Sequence, residues 1–138
     1  MDITPSVSSD IKLITGYSNT GFIINDQKFE SNIILSNNFV ANTDENFYEN
    51  GELLVENLLL AYQVLISQSK LDPQNKAIFL LGTGSKHTII SPDILKKFKS
   101  QGITLEPMTT SAACRTYNVL VSEDRHVLAL ILTNVISA

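Results

Sequence analysis

The chain has 138 residues, the length of one domain, of which 43% are hydrophobic and 17% charged. This composition is that of a globular protein with its own core and excludes a disordered chain. The formal net charge of −4 argues against a nucleic-acid partner, because a nucleic-acid surface needs a basic excess.

The single cysteine, Cys114, excludes an internal disulfide and a cysteine metal cluster, and we expect neither a metal nor a cofactor. Residues 1–10 lack the basic and apolar regions of a signal peptide and are predicted to form a flexible arm. The most apolar stretch, residues 53–66, is shorter than the ~20 residues of a spanning helix. We therefore expect a cytoplasmic protein without stable membrane insertion.

The first third of the chain alternates short β-like runs with turn residues. Strands are predicted over residues 11–15, 21–24 and 28–35. The Asn25-Asp26 pair separates the second run from the third, since both residue types tolerate left-handed backbone. We expect an antiparallel meander followed by a polar surface loop over residues 40–51.

The middle of the chain predicts a β–α–β unit. After a helix over residues 53–67, the continuous apolar run of residues 77–81 indicates a strand that is buried on both faces. Ser91 can cap the next helix, whose first residue is Pro92. Residues 103–106 form the following strand, which such a crossover places parallel to the first.

A third helix over residues 111–121 is predicted to begin at a Thr110 cap. The last strand, residues 126–132, is nearly all apolar and is therefore expected at the centre of the sheet. Together these elements predict one domain over residues 1–138. Its fold class is a three-layer α/β domain with a mixed central sheet, helices packed on it and a small β-rich N-terminal portion.

Ligands of open α/β sheets bind outside the carboxyl ends of the parallel strands, and two predicted loops leave strands at that edge. Five residues there are candidates for holding an anion: Gly82, Thr83, Gly84, Ser85 and Thr110. The simpler interpretation is a tight exit from a buried strand, where glycine permits the turn. Neither the dinucleotide fingerprint nor the P-loop is present.

Three polar side chains further along are additional binding candidates. Arg115 and Asn118 share one stripe of the third helix, and the Arg115 guanidinium suits a carboxylate, a phosphate or a partner's acidic side chain. Arg125 follows Glu123 and Asp124 in a charged turn that could form the rim of a binding surface. For each of the three residues, the alternative interpretation is that its side chain is simply solvated or has a structural role.

A cysteine nucleophile is a further alternative, because Cys114 lies near a helix N-terminus and the chain has two histidines, His87 and His126. No spacing ties either histidine to Cys114, and a cysteine among small residues is more often packed in a core. The two histidines also make a weak case for a metal site.

Several runs in the second half resemble one known family, that of mitochondrial respiratory complex I assembly factor 3, which also holds short bacterial proteins of unknown function and an adipogenesis-associated human protein. The resemblance covers about residues 77–132, with a weaker similarity at Tyr17 and Gly21. It depends on Leu80-Leu81-Gly82-Thr83-Gly84, Gly102-Ile103, Met108 with Thr110, and above all Ala112-Ala113-Cys114-Arg115-Thr116-Tyr117-Asn118-Val119-Leu120.

The chain departs from that family's pattern at two positions. Thr109 stands where the family often has an acidic residue, which puts in doubt any acid–base role at this edge. Asp124 stands where the family's turn often has glycine, so the turn is expected to change. The resemblance implies a three-layer α/β fold and no established enzymatic activity.

We therefore expect a non-catalytic interaction or assembly module with a protein partner, linked to the assembly of a respiratory or membrane complex. Homo-oligomerisation is left open. The alternative is a binder of small anionic molecules, or an enzyme, that uses the Gly82-Thr83-Gly84 loop and Arg115.

Overall fold

The computed structural model describes residues 11–70, 77–85, 88 and 90–133. Its first part is an antiparallel sheet of three strands, β1 (Ile14–Tyr17), β2 (Gly21–Ile24) and β3 (Gln27–Glu30). Asn25 and Asp26 connect β2 to β3 with φ of 49° and 68°, the left-handed turn that was expected from their side chains. The predicted arm, residues 1–10, lies outside the described residues.

The central sheet has five strands in the order β5-β4-β10-β8-β9. The strands β10 and β4 are antiparallel, whereas β8 runs parallel to both β10 and β9, so the sheet is mixed as predicted. The bounds of its strands are β4 (Ile33–Ser36), β5 (Phe39–Asn42), β8 (Ile78–Gly82), β9 (Thr104–Met108) and β10 (Val127–Ile131). A two-stranded ribbon, β6 (Tyr48–Glu49) with β7 (Glu52–Leu53), precedes the first helix.

Within the described residues three helices cover the sheet: α1 (Val55–Ser69), α2 (Pro92–Ser100) and α3 (Thr110–Ser122). The chain moves from β8 outward to β9 and then back across β8 to β10. The helices α2 and α3 lie on opposite faces of the sheet, because Phe98 of α2 packs in one core cluster and Tyr117 of α3 in the other. Side chains of β10 alternate accordingly, with Leu128 and Leu130 in the core under α1 and α2, and Val127 and Ala129 in the core under α3.

The N-terminal sheet and α3 form one outer layer together. Ile14, Phe22 and Ile24 from the small sheet are buried in the same cluster as Tyr117 and Val121 from α3. The small sheet thus packs on the half of the central sheet that α3 leaves uncovered, which completes the three predicted layers.

Two predictions for the first half were wrong. The run over residues 28–35 is not one strand, because the backbone turns at Ser31 (φ 76°) and its halves join different sheets as β3 and β4. The segment over residues 40–51 is not a loop, since it contains the end of β5 and all of β6. Phe47 in this segment is only 3% exposed and anchors the segment to the core under α1.

We predict that Gly82→Ala destabilises the protein by about 1–3 kcal/mol through overpacking of the contact between β8 and α3. A Cβ built at Gly82 lies 3.0 Å from Ile131 Cγ2, 3.1 Å from Thr110 Oγ1 and 3.2 Å from Ala113 Cβ, so it has no free space. Ser85→Ala, at the exposed end of the same loop, is the control and should leave stability unchanged. Urea unfolding measures both changes, and equal stability of the two variants would contradict the prediction.

Candidate functional site

Hydrogen bonds within the protein connect the segments that follow β8 and β9 at the carboxyl edge of the sheet. The N–H of Thr83 donates to Met108 O at 2.8 Å, and the N–H of Gly84 donates to Thr110 Oγ1 at 2.9 Å. The N–H of Thr110 donates back to Gly84 O at 2.8 Å, and its hydroxyl donates to Leu132 O at 2.5 Å. The Thr110 side chain is fully buried, so one hydroxyl links β8, α3 and the end of β10.

These bonds bring Gly82, Thr83, Gly84 and Thr110 together as predicted, but they change what the group offers a ligand. An anion cradle needs free backbone N–H groups. Here the N–H groups of Thr83 and Gly84 already have internal acceptors, and Gly82 faces the helix. Ser85 remains exposed beyond them.

The cap of α3 was assigned to the wrong threonine. Thr109, not Thr110, is the N-cap, and its hydroxyl accepts the N–H of Ala112 at 3.4 Å. Thr110 is the first residue of the helix. Two adjacent threonines satisfy the same cap preference in sequence, so the pattern could not distinguish the capping side chain from the buried one.

Arg115 lies elsewhere, beside an open groove between α3 and β1. The groove has a volume of about 110 Å³ and is lined by Ile14, Thr15, Gly16, Tyr17, Cys114, Arg115 and Asn118. The Arg115 side chain is exposed, and within the described ranges the structure gives its guanidinium no carboxylate partner. Val119, one turn further along α3, is 55% exposed. We call Thr15, Gly16, Tyr17, Arg115 and Val119 the Arg115 surface.

Asn118 lines this groove but has a structural task. Its Oδ1 accepts the N–H of Ile14 at 2.9 Å, and its Nδ2 donates to Ile14 O at 2.7 Å. The side-chain amide therefore makes the two bonds that a neighbouring strand would make with this residue. Because the Asn118 amide uses one N–H of Nδ2 and one lone pair of Oδ1 in these bonds, its second N–H and the other lone pair remain available for another contact.

Tyr117 supports the same attachment and was not predicted. Its hydroxyl lies 2.7 Å from Lys12 O and 2.8 Å from Ser36 O, so it ties the chain before β1 to the end of β4. Burial raises the pKa of the Tyr117 hydroxyl, which keeps its proton available for donation. An aromatic residue on the apolar face of an amphipathic helix was the available signal, but it does not reveal where a hydroxyl points.

Arg125 is separated from the other candidates. It precedes β10, at the end of the sheet opposite to the carboxyl edge of β8, and its carbonyl accepts Asn37 Nδ2 at 2.7 Å. In the same turn Asp124 adopts φ 61°, the left-handed conformation for which glycine is favoured. The turn therefore keeps this geometry without glycine.

Cys114 is a core residue rather than an exposed thiol. It is 2% exposed, and burial raises the pKa of its thiol to about 12, an effect larger than the opposing charge of Arg115. A thiol with this pKa is protonated at neutral pH and is a poor nucleophile. His126 is exposed at the start of β10, and His87 lies outside the described residues.

The described residues contain no group of three or more His, Cys, Asp or Glu side chains that is placed to hold a metal ion. No helix there is both long and apolar enough to cross a bilayer.

The mixed five-stranded sheet, the helices on both of its faces and the small N-terminal sheet define the class of protein, a three-layer α/β domain. The chain belongs to the family described as protein of unknown function (DUF498/DUF598), whose model matches residues 14–132. This family includes complex I assembly factor 3, so the resemblance seen in the sequence is confirmed.

Two relatives show the range of the family. The NADH dehydrogenase (ubiquinone) 1 alpha subcomplex assembly factor 3 of Xenopus tropicalis is 30% identical over 91% of this chain. The chain spans 63% of the length of that relative. The 13 kDa major membrane protein of Francisella tularensis is 33% identical, over 54% of this chain and 72% of the relative.

A solved structure supports the fold alone. The Mth938-like domain of Bordetella pertussis superposes with a TM-score of 0.69 at 24% identity, over 89% of this chain and 86% of that one. At this level of identity the likeness concerns the backbone, and function has to be argued from the site.

We predict that Asn118→Ala costs about 1–3 kcal/mol of stability, because Ile14 loses both partners of its backbone groups. Hydrogen exchange at the Ile14 amide should accelerate more than exchange in β10, since the loss is local to β1. Ser122→Ala is the control, as its exposed hydroxyl bonds only within α3. Unchanged exchange at Ile14 would contradict the assignment.

We also predict that the Cys114 thiol resists alkylation in the folded protein. A rise of its pKa from 9.0 to about 12 lowers the thiolate fraction near pH 8 by about three orders of magnitude. Iodoacetamide should therefore modify Cys114 only after unfolding in urea, and fast labelling of the folded protein would contradict this. The unfolded thiol ionises from about pH 9 and the folded one only near 12, so this group lowers stability as pH rises through that window.

Proposed function

We propose that this protein is a non-catalytic interaction module that binds a protein partner through the Arg115 surface, during assembly of a larger complex. The observation that carries the proposal is the position of Arg115. It is an exposed cation with no ion-pair partner among the residues described, beside an open groove and within one turn of the exposed Val119.

The composition of this surface fits a protein partner. Arg and Tyr are enriched in the energetically important parts of interfaces, and Tyr17 is 43% exposed next to Arg115. An acidic side chain of the partner could pair with the guanidinium through two parallel hydrogen bonds. The family membership adds support, because the Xenopus relative is named as an assembly factor.

The alternative of a small-molecule site has less support. Ligand pockets usually enclose about 300–1,000 Å³, whereas this groove holds about 110 Å³ and is open to solvent. The one thiol beside the groove has a pKa raised to about 12, so it does not supply a nucleophile at neutral pH. The Gly82–Gly84 loop is not among the residues that line the groove.

We predict that Arg115→Ala strongly weakens capture of the partner. Tagged wild-type protein, Arg115→Ala and Lys97→Ala are immobilised and exposed to a lysate of cells that make the protein, and eluates are compared by quantitative mass spectrometry. Lys97 is exposed on α2, on the opposite face of the sheet, so its substitution removes the same charge elsewhere. A stoichiometric protein should be retained by the wild type and by Lys97→Ala, and reduced about tenfold or more with Arg115→Ala.

Melting curves of all three proteins separate loss of binding from loss of folding. Equal capture by Arg115→Ala and the wild type would contradict the proposed surface. A rise in Tm of the wild type with inorganic phosphate or succinate that is absent in Arg115→Ala would instead favour the small-anion alternative.

A further inference from the structure

One strand edge on the Arg115 surface has backbone groups directed away from the sheet. Tyr17 is opposite Phe22 in the pairing of β1 with β2. The backbone of β2 alternates between its two neighbours: Gly21 O accepts from Ser18 on the β1 side, and Thr20 O accepts from Ser31 on the β3 side. The backbone N–H and C=O of Phe22 point toward β3, as the C=O of Thr20 does, and Phe22 pairs there with Phe29. Phe22 therefore makes no backbone hydrogen bonds with Tyr17, which lies opposite it on β1.

The N–H and C=O of Tyr17 therefore point to the free edge of β1. Ile14, opposite Ile24, has the same direction, and there the edge is completed by the Asn118 side chain. An irregularity in register separates Ile14 from Gly16, so Tyr17 rather than Gly16 is the next outward residue. Within the residues described, no hydrogen bond from another element reaches the backbone of Tyr17.

We propose that the Arg115 surface takes an extended peptide segment of the partner, which pairs with β1 at Tyr17 and places an acidic side chain on Arg115. The incoming strand would continue the edge that the Asn118 amide begins, with main-chain bonds giving affinity and the carboxylate giving specificity. Charge complementarity selects an acidic segment, because the groove presents one guanidinium and no carboxylate. This inference rests on the proposed function and specifies the form of the partner.

The test uses a phage-displayed library of random linear peptides selected on the folded full-length protein, followed by titration of the selected peptides as synthetic amides. We expect acidic sequences that bind the wild type and shift the amide resonances of Tyr17 and Arg115. Replacing the acidic residue of a peptide with its amide analogue should weaken binding about tenfold, as should Arg115→Ala on the protein.

Two substitutions at one position isolate the backbone contact. Tyr17→Pro removes the outward N–H, which β1 does not use for pairing with β2, and proline is tolerated on an edge strand in that situation. Tyr17→Ala removes the same side chain but keeps the N–H. Tyr17→Pro should bind the selected peptides at least about tenfold more weakly than Tyr17→Ala, because two main-chain bonds cannot both form.

The outcomes separate this inference from the proposed function. Three outcomes would overturn strand addition by an acidic partner. Tyr17→Pro and Tyr17→Ala could bind the peptides equally, the library could yield no binders, or a second copy of the chain could displace the binders. If strand addition fails in this way while the lysate partner is still lost with Arg115→Ala, the proposed function stands and the partner binds by its folded surface. If Tyr17→Pro unfolds where Tyr17→Ala does not, hydrogen exchange of the wild-type Tyr17 amide decides: strong protection in the free protein would contradict the outward direction of this N–H.

Discussion

The attachment of β1 to α3 determines where a functional surface can lie on this protein. Two consecutive residues make it: the Tyr117 hydroxyl contacts Lys12 O and Ser36 O, and the Asn118 amide pairs with both backbone groups of Ile14. Apolar packing of Phe22 and Ile24 holds the small sheet against the core but does not fix its position along α3. The directional bonds fix that position, and Arg115 therefore always faces β1.

The same arrangement explains why the sequence predicted Arg115 and Asn118 on one stripe of α3 but not the strand β1 beside them. Periodicity predicts which side of a helix is buried, and the continuous apolar runs of β8 and β10 made both strands predictable as strands that are covered on two faces. It gives no information about which distant strand packs beside the exposed side. The first half was less predictable because Ser31 alone, a residue without a turn signature as strong as glycine, redirects the chain between two sheets.

The carboxyl edge of the sheet shows a second limit. Binding at such an edge presumes a crevice between the loops that leave adjacent strands. In this protein the Thr110 hydroxyl bonds to Gly84 and Leu132 across that edge, and Thr110 and Ala113 of α3 leave no room for a Cβ at Gly82. In the sequence, a glycine that makes room for a ligand cannot be distinguished from one that makes room for a helix. The sequence therefore predicted that these residues lie at this edge, but not that they are used in packing.

The run of residues that carries the family resemblance can now be divided by what each side chain does. Ala113, Cys114 and Tyr117 are buried, and Asn118 is occupied with Ile14, so these residues specify the packing of α3 against the two sheets. These packing roles say nothing by themselves about what the protein binds. Arg115 is the charged residue of the run, and it is exposed with no ion-pair partner among the described residues. The proposed binding surface therefore depends on this arginine and on the edge of β1 beside it, and not on the residues that specify the packing of α3.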